Sequence, residues 1–286
     1  MDDATGLPIA LEPLVTRVLA PNPSPYTFTG TQTHVVGTTD LAVIDPGPDD
    51  PGHLAAMTAV IAGRPVRAIV VTHHHRDHSP ASRPLALATG APIVGAAPFA
   101  IHGERAQTDA AFDADYAPDR VLEDGQGIAG DGWTLTALAT PGHTSNHLAF
   151  ALLEAQGGTG ALFSGDHVMG WSTTVVSPPD GDMAAYMASL ERLKGRDEAI
   201  YYPGHGDAVK NPRRLVRHMI GHRRQRERQA LRLLGERASA LPELTRAMYA
   251  GLDERLLPAA ERSVLAHLID LERRDRVHRD GERWAT

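Results

Sequence analysis

The 286-residue chain contains no cysteine, which removes disulfides, thiolate nucleophiles and thiolate metal ligands together. Any metal it uses has to sit on histidine and carboxylate. Aromatic residues make up only 5%, little material for a surface that stacks many bases. No apolar run approaches the ~20 residues that span a bilayer. The opening MDDATGLPIA also lacks the basic and apolar segments of a secretory leader. The expectation is a cytoplasmic protein with no membrane partner.

Hydrophobic residues at 42% and charged residues at 22% are ordinary for a globular chain. The charge is unevenly placed. Residues 1–209 hold 10 Lys and Arg against 24 Asp and Glu, a net charge of −14, whereas residues 210–286 hold 18 against 11, a net charge of +7. We therefore expect two domains, 1–209 and 210–286.

Short apolar strands bounded by Gly, Pro and Asp fill the first part: Leu41–Ile44, Ala68–Val71, Ile93–Val94, Thr134–Thr140, His147–Leu153 and Ala161–Ser164. Gly157-Gly158-Thr159-Gly160 reads as a hairpin connection between the last two. Helical patterns at Pro51–Ala62, Ser79–Thr89 and Asp182–Leu193 alternate with these strands. Sheets flanked by helices follow, so the fold class is α/β. From Pro212 the texture changes to helices over 212–237, 242–249 and 258–274, and then to an Asp280-Gly281 hairpin. Three helices and a terminal hairpin suggest a winged-helix-like module.

The densest chemistry is VVTHHHRDHS, Val70–Ser79, with four histidines and an aspartate in six positions after a buried-strand run. Alternate side chains of an extended segment share a side, so His73, His75 and Asp77 can converge while His74 points elsewhere. His78 can join if the chain turns at Ser79. Three further strand ends carry similar groups: PGHT with His143, SGD with Asp166, and PGHG with His205. Five histidines and two carboxylates suit a pair of divalent ions. Such a pair shares a hydroxide, a nucleophile that needs no serine or cysteine.

HxHxDH followed by PGHT, SGD and PGHG, with Val43-Ile44-Asp45-Pro46-Gly47 ahead of them, resembles the metallo-β-lactamase superfamily over about residues 25–209. The resemblance implies an αββα sandwich with a dinuclear site at one edge of its sheets. It implies one metal on His73, His75 and His143, the other on Asp77, His78 and His205, and Asp166 bridging. Asp77 and Asp166 would position the hydroxide. Asp45 would support a ligand from behind, as ligating imidazoles require, and His147 is a candidate for a similar role. Zinc is the first expectation; manganese and iron also suit such donors.

The segment Asn22–Thr33, the Thr173-Thr174-Val175 run and the helical tail are similar to the β-lactamase-like group that includes a mitochondrial single-strand-specific endoribonuclease. Two positions depart from that group: Ser79-Pro80-Ala81 replaces Ser-Gly-Gly, and His34 replaces a tyrosine. Both would reshape the entrance to the site.

For the substrate, the basic run Lys210, Arg213, Arg214, Arg217, Arg223, Arg224, Arg226, Arg228 and Arg232 favours a phosphodiester in single-stranded nucleic acid, with Arg217, Arg224 and Arg228 as candidate phosphate contacts. GHTSNH, Gly142–His147, is close to the glyoxalase II pattern and keeps a small-molecule ester or thioester as the alternative. A β-lactamase and an inactive nucleic-acid-binding regulator rank below both. His74, His102, His218 and His222 read as ordinary polar positions, and Trp133, Trp171 and Trp284 as packing residues.

Overall fold

The computed structural model describes residues 5–98, 111–154 and 160–286. The expected hairpin connection at 157–160 falls mostly outside these residues, as does His102. The chain divides into two compact units. The first comprises Met1–Thr140, Asn146–Ser172 and Asp197–Pro212, and the second Pro141–Ser145, Thr173–Arg196 and Arg213–Thr286.

In the first unit a seven-stranded sheet runs in chain order through β1 (Pro8–Glu12), β2 (Val15–Leu19), β3 (Gln32–Val36), β4 (Leu41–Ile44), β5 (Val66–Val71), β6 (Ile93–Gly95) and β7 (Arg120–Val121). It is antiparallel up to β4 and parallel from β4 to β7. A five-stranded sheet has the order β12 (Ile200–Pro203), β11 (Ala161–Gly165), β10 (Leu148–Glu154), β9 (Trp133–Ala139) and β8 (Gly127–Gly130). Only its β11–β12 pair is parallel.

Side chains alternate across a strand, and here the alternation sorts two cores. Ala42, Ile44, Ala68 and Val70 join Leu135, Ala137, Phe150 and Phe163 in a core shared by both sheets. Leu41, Val43 and Ile69 face the other way, onto Met57 and Ile61 of α1 (Pro51–Ile61) and Leu85 of α2 (Ser82–Thr89). These are the helix, sheet and sheet layers of an α/β sandwich. Asp50 caps α1 by accepting the His53 N–H at 2.7 Å. Helix α2 begins at Ser82, three residues after the expected start, because Ser79–Ala81 continues the turns that carry the histidines: the Ser79 N–H donates to the His75 carbonyl and Ser82 N–H to that of Ser79.

The second unit holds α3 (Met183–Lys194), the body of α4 (Pro212–Glu236), β13 (Ser239–Ala240), α5 (Leu241–Met248), α6 (Leu257–Arg273), β14 (His278–Asp280) and β15 (Arg283–Ala285). Its core takes Ala230 and Leu234 from α4, Leu244 and Met248 from α5, and Val264, Leu268 and Leu271 from α6, together with Trp284. Those pairs stand three or four residues apart, the spacing of one helical face. The hairpin at Asp280-Gly281 forms as expected, and its second strand pairs with β13. No helix among the described residues is long and apolar enough to cross a membrane.

Candidate metal centre

Parallel strands end where side chains can be presented from loops rather than paired in the ladder. Asp45 follows β4, the His73–His78 run follows β5, Asp166 follows β11 and His205 follows β12. The coordinating atoms of Asp77, His78, Asp166 and His205 lie within 4.8 Å of one another. His78 Nε2 stands 3.3 Å from His205 Nε2, 3.4 Å from Asp166 Oδ1 and 3.5 Å from Asp77 Oδ2. His205 Nε2 is 3.1 Å from Asp77 Oδ2 and 3.4 Å from Asp166 Oδ2. Beside them, His73 Nε2 approaches His75 Nδ1 at 3.0 Å.

The outer nitrogens decide which inner ones carry a lone pair. Asp45 Oδ1 accepts the Thr72 N–H, while its Oδ2 accepts both the Thr72 hydroxyl and His78 Nδ1–H, at 2.8, 2.8 and 2.9 Å. Because Thr72 donates to Asp45, its oxygen is the acceptor for His73 Nδ1–H at 2.9 Å. His205 Nδ1–H donates to the Gly30 carbonyl at 3.2 Å. Each of these rings therefore turns an Nε2 lone pair inward.

Asp45 itself sits at φ +47°, a left-handed conformation that aspartate tolerates better than most residues. Thr33 Oγ1–H holds its carbonyl at 2.7 Å and accepts from His53 Nε2 at 2.9 Å. Burial, opposed by Asp50, lowers the pKa of His53 to about 4, so the ring is neutral. At Gly204 a Cβ would lie 2.6 Å from both Asp166 Oδ1 and His78 Cε1, so only glycine lets the β12 loop close on the cluster.

The field of the cluster calls for positive charge. Burial opposes charging His78, yet the carboxylates of Asp77, Asp166 and Asp45 raise its pKa well above the ordinary value. For Asp77 and Asp166 burial favours the neutral acid, and the two histidines nevertheless hold both well below the usual carboxylate range. Buried imidazoles and carboxylates packed this closely are a donor set for a divalent cation; the residues fit one.

His143 lies on the Pro141–Ser145 segment of the second unit. Its Nδ1–H donates to the Val175 carbonyl at 2.7 Å, which puts the lone pair on Nε2. His147 has both nitrogens engaged: Nδ1–H donates to Thr140 Oγ1 at 2.8 Å and Nε2 accepts the Asp166 N–H at 3.2 Å. That arrangement steadies the Asp166 backbone and leaves no proton for a leaving group.

Several sequence expectations need correction. His74 is not an ordinary polar position: its side chain is buried, with its ring 5.0 Å from that of Phe112. Nine basic residues on α4 and its approach do not form one solvated stripe. Arg223 is 2% exposed, lies 5.3 Å from the Tyr186 ring centre and donates to the Thr174 carbonyl. Arg226 lies over the Tyr249 ring at 4.2 Å and donates to the Met248 carbonyl at 2.8 Å. Arg213, Arg214, Arg217, Arg224, Arg228 and Arg232 are exposed and fall within an arc of roughly 100° at 3.6 residues per turn. Of these, Arg224 pairs with Glu191 at 2.9 Å and Arg232 with Glu236 at 3.1 Å.

The sequence reading missed Thr72, Thr33, His53 and the Gly30 carbonyl. Only Thr72, immediately before His73, carried a local signal.

Residues 26–205 match the model of the metallo-beta-lactamase superfamily. The chain belongs to that superfamily. As a member, it is a metal-dependent hydrolase. Residues 240–284 match the beta-lactamase associated winged helix domain, in agreement with the helices and hairpin of the second unit. A beta-lactamase-like protein 2 homolog of Caenorhabditis elegans is 33% identical over 230 residues, covering 79% of this chain and 72% of that protein. An atrochrysone carboxyl ACP thioesterase of Aspergillus fumigatus is 33% identical over 227 residues, covering 77% and 65%. A beta-lactamase domain protein from Burkholderia ambifaria shares the fold with a TM-score of 0.80 at 21% identity over 99% of this chain and 94% of that one.

Proposed function

We propose that this superfamily hydrolase works with two divalent metal ions, zinc first among them, and cuts phosphodiester bonds of single-stranded nucleic acid. His73, His75 and His143 would hold one ion; Asp77, His78 and His205 would hold the other, with Asp166 between them. When bound, such a pair would lower the pKa of water to about 7 and polarise the bond to be cut. The chain's own residues supply the fixed frame. Asp45 and Thr72 set the tautomers of His78 and His73, the Gly30 carbonyl sets that of His205, and His147 anchors Asp166 through its amide.

The observation that carries the nucleic-acid reading is the exposed face of α4. Its six arginines extend over about 28 Å at 1.5 Å per residue, a length that spans several phosphates of an extended strand. Gln225, Arg226, Arg228, Gln229 and Arg232 line a hollow of about 450 Å³ on the same helix, where the exposed Arg228 offers donors suited to phosphate oxygens. The second reading, a thioester, is supported by the relative named as an ACP thioesterase.

Rates on bis-p-nitrophenyl phosphate, single-stranded RNA, a glutathione thioester and nitrocefin separate these readings. The expected result is turnover of the first two. Turnover of the thioester alone would reject the phosphodiester assignment, and less than one equivalent of transition metal in active protein would reject the dinuclear one.

A further inference from the structure

The Asn22–Gly30 loop is held by its own polar groups. Ser24 Oγ accepts the N–H groups of Tyr26 and Thr27, both at 3.1 Å, and Thr27 Oγ1–H donates to the Asn22 carbonyl at 2.6 Å. The Asn22 amide spans to Thr31 through two further bonds, at 2.8 and 2.9 Å. What this rigid loop displays is unusual. Phe28 has φ +57°, a conformation in which a bulky side chain is a genuine outlier and is strained. The residue is nevertheless 47% exposed, and its ring stacks on that of Trp171, with centroids 5.0 Å apart and planes 18° from parallel. Ordinary core packing would bury such a ring and would not need the strain.

Both rings are tied to one metal-ligand candidate. Two residues after Phe28, the Gly30 carbonyl accepts His205 Nδ1–H. Trp171 lies against Gly206, where a Cβ would meet the indole Cδ1 at 2.5 Å, and Gln32 Nε2–H donates to the Gly206 carbonyl. The stacked pair and His205 are thus fixed to the same short stretch of backbone. Phe28 thus stands two residues from the carbonyl that holds His205, and Trp171 lies against the residue that follows His205.

We propose that Phe28 and Trp171 form a stacking platform for the planar ring that flanks the scissile bond; on the phosphodiester reading above, on which this rests, that ring is a nucleobase. Every base offers a π-face, so stacking on an aromatic side chain is open to any of them. This is a specificity role, since the platform contributes nothing to the bond-breaking step itself.

The zinc-loaded enzyme can be assayed on two chromogenic diesters, thymidine 5′-(p-nitrophenyl phosphate), which carries a base, and methyl p-nitrophenyl phosphate, which does not. The wild type should favour the first in kcat/KM by about tenfold through KM, from stacking alone. Phe28→Ala and Trp171→Ala should bring that ratio close to one, and Phe28→Tyr should restore it. An unchanged ratio in the alanine variants, including a parallel fall on both diesters or loss of zinc, would overturn the platform. If neither diester is cut, the phosphodiester reading fails by itself. The platform is then read from indole fluorescence of the same zinc-loaded protein titrated with thymidine, which has no bond to cut. Quenching in the wild type that disappears in Phe28→Ala sustains it, and no quenching removes it.

Discussion

The loop ends beside the two sheets and the exposed face of α4 both gather polar side chains, and they hold those side chains in opposite ways. His73, His78 and His205 are buried, and each has its outer nitrogen committed to one named acceptor. Arg214, Arg217 and Arg228 stand exposed on long flexible stems. The first arrangement suits chemistry that depends on the direction of a lone pair. The second suits attraction to a charged polymer, where direction matters little and the sum of charges matters much. The difference teaches that losses at the sheet edge should be all-or-none, whereas losses on the helix should add up in small steps.

The strongest test of that contrast removes a ligand. His75→Ala and His205→Ala should each reduce turnover by more than the ~100-fold that loss of an outer supporting group typically causes. Circular dichroism should change little, because these side chains sit on loops that follow the strands and not in the strands themselves. Retained turnover in either variant would mean that the site is elsewhere. His74→Ala should now behave differently from both: the buried ring against Phe112 makes it a stability variant, visible in the melting temperature.

Asp45→Asn probes the next layer. Asparagine accepts φ +47°, so the backbone is kept while the charge is lost opposite His78 Nδ1–H. Zinc affinity should fall by about 10- to 100-fold, read by competition with a chromogenic chelator. An unchanged affinity would show that the ligand tautomers need no carboxylate behind them.

A pH series compares the two units directly, because each buries a neutral histidine. Burial, with Arg17 adding to it, lowers the pKa of His34 to about 3; burial, with Arg223 and His222 adding to it, does the same for His267. The folded value lies below the unfolded value of 6.5, so between pH 6.5 and 3 the unfolded chain binds more protons. Stability is therefore full above pH 6.5 and falls as pH falls, by up to roughly 1.4 kcal/mol per pH unit for each histidine. Urea midpoints at pH 7.5 and 5 check this, and His267→Gln should remove its share of the slope. Equal pH slopes for the variant and the wild type would contradict the neutral-histidine account of the second unit.

The smallest effect is expected on α4. Replacing Arg217, Arg224 and Arg228 with Gln should flatten the log–log salt dependence of single-strand binding by about 0.7 per lost phosphate contact, roughly 2 in all. No detectable binding by the wild type at low salt would end the nucleic-acid reading and leave the thioester.

Most of the fold was legible in the chain. The apolar run before His73, the Pro212 helix start and the Asp280-Gly281 turn each impose a local geometry that tertiary contacts did not override. The strands β1, β2, β3, β7, β8 and β13 escaped because they are short, lie at sheet edges or, like Gln32–Val36, mix polar and apolar residues without a clean alternation. The arginines misled for a related reason. Composition counts charges, but at 3.6 residues per turn the eight basic positions on α4 point to different sides, and Arg223 and Arg226 turn inward to Tyr186 and Tyr249.

By itself, the sequence determined the kind of chemistry available to this protein. With no cysteine and with His and Asp at four strand ends, residue type and strand periodicity already point to hard or borderline metal ions held on nitrogen and oxygen, and the order of the motifs to the family. Tertiary structure alone decided which nitrogen of each histidine faces inward, which carboxylate sits behind His78, and that Phe28 and Trp171 meet beside His205. Those are relations between residues 33, 127 and 143 positions apart in the chain, and no local pattern encodes them, because they arise only when the strand ends are brought to one edge.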